Sequence, residues 1–584
     1  MNSSSQNRPP IAVVGVSALF PGSSDASGFW RDILAGRDLI RDVPPSHWLL
    51  EDYYDPDPSA PDKTYARRGA FLDPVDFDAL SWGIPPSTIP ATDTSQLLAL
   101  VVAQKVLEDA LREQFASADR SRVSVILGVT SSQELLASMV SRLQRPVWVK
   151  ALRESGIPEE EVDAICRRIA ASYVPWQESS FPGLLGNVVA GRIANRLNLG
   201  GTNCVTDAAC ASSFGALSMA VAELQLGSSD LVVTGGVDTL NDIFMYVCFS
   251  KTPALSFTGD CRPFSDKADG TMLGEGLGMV ALKRLADAER DGDRIYAVVR
   301  GVGSSSDGRS GSVYAPVPEG QAKSLARAYE LAGFGPDTVE LLEAHGTGTK
   351  AGDVAELEGL RLVFDAAGRP DRQWCALGSV KSQIGHTKAA AGAAGLFKAV
   401  LALHTGVLPP TIKVEAPNPK LRLGESPFYL NTKARPWVRD GRHPRRASVS
   451  AFGFGGSNFH VALEEYRGPA PRAERLRVLP RELVVVAGSS PSDVAAKARA
   501  LAARARGGEP VALLAQEGQQ AYAATCPGEG TLSRLAVLSA DAAGLEKSLL
   551  DAASRIEAAP ATGFALPDGT TFGSGHRDGQ LAFP

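Results

Sequence analysis

Asn203-Cys204-Val205-Thr206-Asp207-Ala208-Ala209-Cys210-Ala211-Ser212-Ser213-Phe214 is the stretch that decides the reading of this chain. A short strand-like run ends just before Cys210, and a helix of small and apolar residues begins there, running from Ala211 to Leu226. A thiol at such a junction faces the positive end of a helix dipole, which favours thiolate. No charged face interrupts Ala211 to Ala222, so the helix is expected to be buried on all sides. The bland alternative is that Cys210 is inert packing, the commonest fate of a buried cysteine. The other six cysteines, Cys166, Cys204, Cys248, Cys261, Cys375 and Cys526, have no Cys-x-x-Cys spacing, which argues against a zinc site or a disulfide framework.

The chain has 584 residues, 44% hydrophobic and 21% charged, so it holds several domain-sized units of ordinary globular composition. A net charge of −6 lacks the basic balance of a nucleic-acid binder. No apolar run is long enough to span a membrane. Met1 to Pro10 is polar, without an apolar signal region, and reads as a disordered lead-in. With unpatterned cysteines, this gives a cytoplasmic expectation.

Strand and helix signals then alternate. Strands are expected at Ile11–Val16, Val123–Val129 and Leu231–Gly236, with helices at Gln96–Leu111 and Val188–Leu197. A second series has strands at Met279–Leu285, Tyr296–Val302, Thr338–Glu343, Cys375–Val380, Ser448–Phe452 and Phe459–Glu464. Its helices are expected at Gln321–Ala332, Val354–Val363 and Thr387–His404. Two such series suggest a duplicated α/β architecture, with an N-half of about 11–250 and a C-half of about 251–466. A linker segment follows at 467–482, containing Gly468-Pro469-Ala470-Pro471. Residues 483–578 read as a small α/β domain, with strands Leu483–Ala487 and Leu535–Leu538 and helices Pro491–Arg506 and Ala542–Ile556. Residues 579–584 enter a strand and stop, as a chain cut from something longer is expected to do.

Three further segments keep company with Cys210. Glu343-Ala344-His345-Gly346-Thr347-Gly348-Thr349 displays a histidine at a strand end, among glycines that let the backbone turn. Val380-Lys381-Ser382-Gln383-Ile384-Gly385-His386 puts a second histidine at an expected helix start, where imidazolium is disfavoured. Phe452-Gly453-Phe454-Gly455-Gly456-Ser457-Asn458 is a turn whose backbone N–H groups suit an oxyanion hole. Each alone reads equally well as structure: a solvated histidine, or a plain turn. Phosphate cradling is a rival for the glycines, but neither phosphate-loop pattern occurs. Together they supply a thiol, two imidazoles, a lysine and backbone donors. A thiol protease or amidase also pairs Cys with His, whereas two neutral histidines suit a carbonyl oxygen on which charge builds.

The three segments around Cys210, His345 and His386 resemble the signature motifs of β-ketoacyl synthases, in the polyketide-synthase branch of the thiolase-like fold. The resemblance covers about Pro10 to Tyr466. It implies a thiolase-like duplicated five-layer αβαβα fold followed by a small α/β linker domain. It implies that residues 483–578 join the ketosynthase to an acyltransferase that opens at Leu581-Ala582-Phe583-Pro584. Modular members carry a Met-Asp-Pro-Gln-Gln-Arg-like stretch before the first long helix; here the stretch is Ile89-Pro90-Ala91-Thr92-Asp93-Thr94-Ser95-Gln96-Leu97-Leu98. With Trp82-Gly83-Ile84-Pro85-Pro86 and the extended 133–176 region, this is more similar to iterative polyunsaturated fatty acid synthases, with the enediyne type second.

The resemblance implies that Cys210 accepts an acyl chain, that His345 and His386 stabilise the enolate left by decarboxylation of malonyl-carrier protein, and that Cys210 and Phe454 supply oxyanion N–H groups. Phe454 is also implied as a gate. Thr347 and Thr349 would bind the phosphopantetheine arm, and Lys381 would orient the His386 loop through an ion pair with Glu356 or Asp353. No metal or other bound cofactor is implied. The implied partners are an acyl carrier protein, the adjacent acyltransferase domain and a second copy of the chain. Arg439, Arg442, Arg445 and Arg446 read either as a carrier-docking patch or as a solvated loop, and Arg472, Arg475, Arg477 and Arg481 likewise. A thiolase-like acyltransferase that does not decarboxylate, and a non-catalytic chain-length or scaffold partner, are the rival functions.

Overall fold

The computed structural model describes residues 8–130, 133–239, 241–309, 311–438, 442–468, 480–524 and 532–575. The chain divides into two compact units, Met1–Ala473 and Glu474–Pro584. Most of the lead-in, the core of the 467–482 linker, residues 579–584, Cys526 and His576 lie outside the described residues. The start is ordered earlier than expected: the Pro10 carbonyl accepts the Leu285 N–H and the Pro9 carbonyl accepts from Gln225.

An 11-stranded sheet organises the first unit. From edge to edge its strands are Phe428–Leu430, Cys375–Gly378, Leu341–Glu343, Arg446–Gly453, Ser457–Glu464, Ala297–Ser306, Ile11–Leu19, Gly276–Arg284, Leu231–Asp238, Val123–Val129 and Asn203–Thr206. Numbered by appearance within each half and read outward from the centre, both halves have the order 1-5-4-2-3, Phe428–Leu430 being an addition outside the second. The first half therefore contains Gly276–Arg284, which pairs antiparallel with both Ile11–Leu19 and Leu231–Asp238. The repeat thus divides after Arg284, not near residue 250. Sequence assigned that strand to the second series because it follows a long stretch, 252–275, without helix or strand.

The third strand of each half leads into a helix at the molecular centre, Ser212–Gln225 in the first and Ala391–Thr405 in the second. Helices Thr94–Leu111 and Val188–Leu197 cover the outer face of one half-sheet, and Pro318–Ala332 and Lys350–Phe364 that of the other. This is the five-layer thiolase-like arrangement. The strands are apolar on both faces because both are covered; every residue of Val123–Val129 is buried. Ala391–Leu403 is buried on every side, and its one charge, Lys398, pairs with Glu343 at 2.7 Å. Lys398→Met strands Glu343 as an unpaired buried carboxylate and is expected to cost about 3–5 kcal/mol, read as a lower midpoint in denaturant unfolding.

Two glycines let the central helices reach the sheet. A Cβ on Gly128 would lie 2.3 Å from the Ser212–Ser213 backbone, and one on Gly236 would lie 2.6 Å from the Ala389 carbonyl oxygen. The segments carrying Cys210 and His386 therefore come down onto neighbouring strands with no side chain between.

Both expected central helices start later than the sequence suggests. A 3₁₀ turn, Ala209–Ala211, precedes Ser212–Gln225, and another, Lys388–Ala390, precedes Ala391–Thr405. The first helix is not buried all round: Met219 is 43% exposed, and Leu226 just past its end is 81% exposed. Three helices that the sequence left unplaced, Gln133–Arg142, Arg145–Glu154 and Glu159–Ala171, fill the extended region, and a fourth, Ser180–Leu184, follows it.

The second unit is a four-stranded antiparallel sheet in the order Glu482–Gly488, Leu532–Ser539, Thr571–Gly575, Phe564–Ala565. Helices Pro491–Arg506 and Ala542–Ala558 pack on it through alanine and leucine. Helix Val511–Ala524 and the last two strands escaped the sequence reading.

Candidate active site

Cys210 sits in a 3₁₀ turn held by its neighbours' side chains. Asp207 accepts the Ala209 N–H at 2.8 Å, and Ser212 Oγ accepts the Ala208 N–H at 2.9 Å while donating to the Ala209 carbonyl at 2.6 Å. These bonds hold Ala209 at φ +50°, a left-handed conformation that costs a non-glycine residue energy. The result is a sharp strand-to-helix turn with the thiol at its crest.

The electrostatics differ from the thiolate expectation. Burial pushes the Cys210 thiol up to about 11, against the pull of the Lys381 ammonium, the Phe454 N–H and Lys388. A helix start alone does not offset the loss of water around a buried anion. Alkylation of Cys210 by iodoacetamide, followed on its own peptide by mass spectrometry, is expected to rise about tenfold per pH unit from 7 to 9.5 without a plateau near 8.5.

His345 and His386 stand together, ring centroids 5.4 Å apart and planes at 82°. His345 Nδ1 accepts the Phe452 N–H at 3.4 Å, and His386 Nδ1 accepts the Lys388 N–H at 3.0 Å. With Nδ1 an acceptor in both, the ring proton is assigned to Nε2 in both. Burial, reinforced by the Lys381 ammonium, holds both imidazoles well below the usual histidine value, so they are neutral near pH 7. His386 is neutral as expected, but the cause is burial rather than a helix start, since the helix begins five residues later.

Lys381 supports this pair differently from the expectation. Its ammonium donates to the His345 carbonyl at 2.6 Å instead of forming an ion pair with Glu356 or Asp353. Both carboxylates are occupied by backbone. Glu356 accepts the His345 and Gly346 N–H groups at 2.7 Å each, and Asp353 accepts those of Phe264 and Gly348 at 2.6 and 3.0 Å. The His345 loop is therefore fastened by a cation on its carbonyl and two anions on its amides. Thr347 and Thr349 are partly exposed and share a hydroxyl–hydroxyl bond of 3.0 Å, while Thr349 also caps the helix Lys350–Phe364.

The Phe452–Asn458 turn abuts the Cys210 loop: a Cβ on Gly453 would lie 2.1 Å from the Ala208 carbonyl oxygen. The Phe454 N–H favours the Cys210 thiolate, and the half-exposed Phe454 ring faces Phe249 and Tyr314, each 6.4 Å away between centroids. Phe454 lines a cavity of about 140 Å³ with Cys210, Val129, Met245 and Phe249. Asp93, Ser95, Asp238 and Lys388 also line it, and the sequence reading had not singled them out as site residues. The signal for Lys388 was present, as the one charge in an alanine run. For Asp238 it was a carboxylate closing an otherwise apolar strand. The basic cluster is not a free patch: Arg445 pairs with Glu465 and Arg446 with Glu464, Arg442 also has a partner, and Arg439 lies outside the described residues, as do Arg472, Arg475 and Arg477.

The chain matches the family description "Beta-ketoacyl synthase, N-terminal domain" over residues 8–288, the C-terminal domain over 296–415 and the ketoacyl-synthetase C-terminal extension over 417–526. A ketosynthase from module 6 of the Bacillus subtilis bacillaene synthase superposes with a TM-score of 0.68 at 31% identity, covering 94% of this chain and 86% of that one. The chain belongs to the β-ketoacyl synthase family. The oxazolomycin ketosynthase domain of Streptomyces albus superposes at 0.70 with 30% identity, covering 97% and 90%. Among sequences, this ketosynthase is 43% identical to a polyunsaturated fatty acid synthase protein of Thraustochytrium over 82% of its own length. It is 35% identical to the polyketide synthase PksN of Bacillus subtilis over 80%. It spans only 17% and 8% of those two proteins. The ketosynthase is thus a condensing, carbon–carbon bond-forming enzyme by family. The first repeat unit closes at 288, in agreement with a division after Arg284.

Proposed function

We propose that this ketosynthase is the condensing unit of a polyunsaturated fatty acid synthase and acts as an acyltransferase on carrier-protein thioesters. Cys210 Sγ attacks an acyl thioester, the bond to the pantetheine sulfur breaks, and the thiol proton ends on that leaving sulfur. The tetrahedral oxygen is held by the N–H groups of Cys210 and Phe454. Malonyl-carrier protein then enters with its pantetheine arm along Thr347 and Thr349, past the Phe454 ring. Its C–C bond breaks, carbon dioxide leaves, and the electron pair forms an enolate whose oxygen accepts from the Nε2–H groups of His345 and His386. The enolate carbon attacks the Cys210 thioester, the C–S bond breaks, and the thiolate takes one proton from solvent. Lys381, Glu356 and Asp353 are positioning residues.

The observation that carries this reading is the histidine pair, with both Nδ1 atoms occupied by backbone so that both Nε2–H groups are free to donate. The identity of 43% against 35% favours the polyunsaturated fatty acid route over the polyketide route of PksN. Retention of Cys210 argues against a non-catalytic partner protein. The test is carbon dioxide release from malonyl-carrier protein together with mass-spectrometric detection of acyl-Cys210; acyl transfer with no decarboxylation in the presence of the histidines would sink the proposal.

The wider setting follows the same reading. Residues 483–578 would join the ketosynthase to an acyltransferase domain, with a phosphopantetheinyl carrier protein as substrate carrier. Free thiols at all six described cysteines suit the cytoplasm. The edge strand Asn203–Thr206, with exposed Met219 and Leu226 on the following helix segment, would pair with a second copy, and sedimentation would report a dimer.

A further inference from the structure

Beside Cys210, the cavity wall carries an ion pair that the chemistry above does not use. Lys388 and Asp238 both line the cavity, both are at least nine-tenths buried, and their charged groups are 2.8 Å apart. The ammonium has three protons and three acceptors: Asp238 Oδ1, Asn241 Oδ1 at 2.7 Å and the Gly274 carbonyl at 3.0 Å. Asn241 is fixed in turn, its amide donating to Glu275 at 3.0 Å and its side chain to the Ala70 carbonyl at 3.3 Å. Glu275 is also met by His47 at 2.8 Å.

The other end of Lys388 touches His386. Its backbone N–H is the donor that occupies His386 Nδ1, and it does so from φ +45°, in the left-handed region. A lysine there is strained, and such a residue persists only where its surroundings over-determine it. The three-acceptor ammonium supplies that constraint. It also closes a loop on His386 itself, because the Met272–Gly274 segment it grips holds the His386 backbone on both sides. The His386 N–H donates to the Met272 carbonyl at 2.6 Å, and its carbonyl accepts the Gly274 N–H at 2.9 Å.

We infer that Lys388, anchored by Asp238 and Asn241, is a positioning residue that locks His386 in its Nε2–H tautomer and aims it at the enolate oxygen. A pair that served only to fill space is replaceable by neutral residues of similar shape. A buckle is not, because no neutral side chain satisfies three acceptors from that backbone position. The inference rests on His386 acting as an enolate donor.

The test separates the half-reactions in the whole chain. In Asp238→Asn/Lys388→Met, which removes both charges together, malonyl-carrier decarboxylation is expected to lose about 10²-fold in kcat, as for a catalytic group about 1 Å out of place. Its KM is expected to stay within about threefold, and acylation of Cys210 is expected to fall far less than decarboxylation. Decarboxylation within about threefold of the parent, or both half-reactions falling together, overturns the inference. Should the double variant fail to fold, Asn241→Ala keeps both charges and removes one acceptor. A decrease of about threefold or more in decarboxylation kcat alone supports the buckle, and an unchanged kcat overturns it. His386→Ala, run alongside, tests the underlying reading. If His386→Ala decarboxylates normally, that reading fails; if it does not and the double variant does, only the role of Lys388 fails.

Discussion

Cys210→Ala is expected to abolish condensation, a loss on the order of 10⁶-fold of the kind that follows removal of a covalent nucleophile. No other described thiol can stand in. Cys204 is only partly exposed and sits on the edge strand, Cys166 and Cys375 are buried, Cys261 is buried behind the Thr347 carbonyl, and Cys248 is exposed on a helix. The variant is also expected to keep decarboxylating malonyl-carrier protein, since the two imidazoles owe their neutral state to burial and to Lys381 and not to the thiol. Acyl loading is read by intact-protein mass spectrometry and decarboxylation by conversion of malonyl- to acetyl-carrier protein. A Cys210→Ala protein that still forms β-ketoacyl product sinks the assignment.

His386→Ala is expected to show the opposite pattern: decarboxylation slower by about 10²–10³-fold, with Cys210 still acylated. On the proposed mechanism the Nε2–H donor meets charge that appears only as carbon dioxide leaves, so its loss would fall on kcat rather than on binding. His345→Ala should act in the same direction. It should also leave the Phe452 N–H without the acceptor that His345 Nδ1 supplies, so a drop in thermal midpoint is expected with it but not with a conservative His386→Gln. Equal losses of acylation and decarboxylation in His386→Ala would count against separate oxygen-binding duties.

Much of this was legible in the sequence where an element is apolar throughout, as Val123–Val129 is, or carries one apolar stripe between clear ends. Val123–Val129, Val188–Leu197 and Pro491–Arg506 occur in the structure with the bounds that the residues suggest. The four segments around Cys210, His345, His386 and Phe454 do converge. What escaped has physical reasons. The helices between Gln133 and Ala171 carry exposed Leu136, Val140 and Val147, so no clean buried stripe marks them. The Cys210 thiol was misjudged because a helix start can be read from residue types, whereas the cost of excluding water cannot. The ion pair that the resemblance implies between Lys381 and Glu356 or Asp353 is absent because both carboxyl groups are spent on backbone amides. Asp238 and Lys388 lie far apart along the chain and meet only in the fold, and nothing local to either announces the other.

The identical strand order of the two halves has a historical consequence. Cys210 and His386 occupy the same place in each copy, the loop from the third strand to the central helix. A doubled ancestral unit would begin with two like loops facing one seam. Under the proposed mechanism, one of these loops would bear the growing chain and the other would serve the extending one. Two loops in equivalent places of one repeated topology would then attend two different substrates across a shared seam.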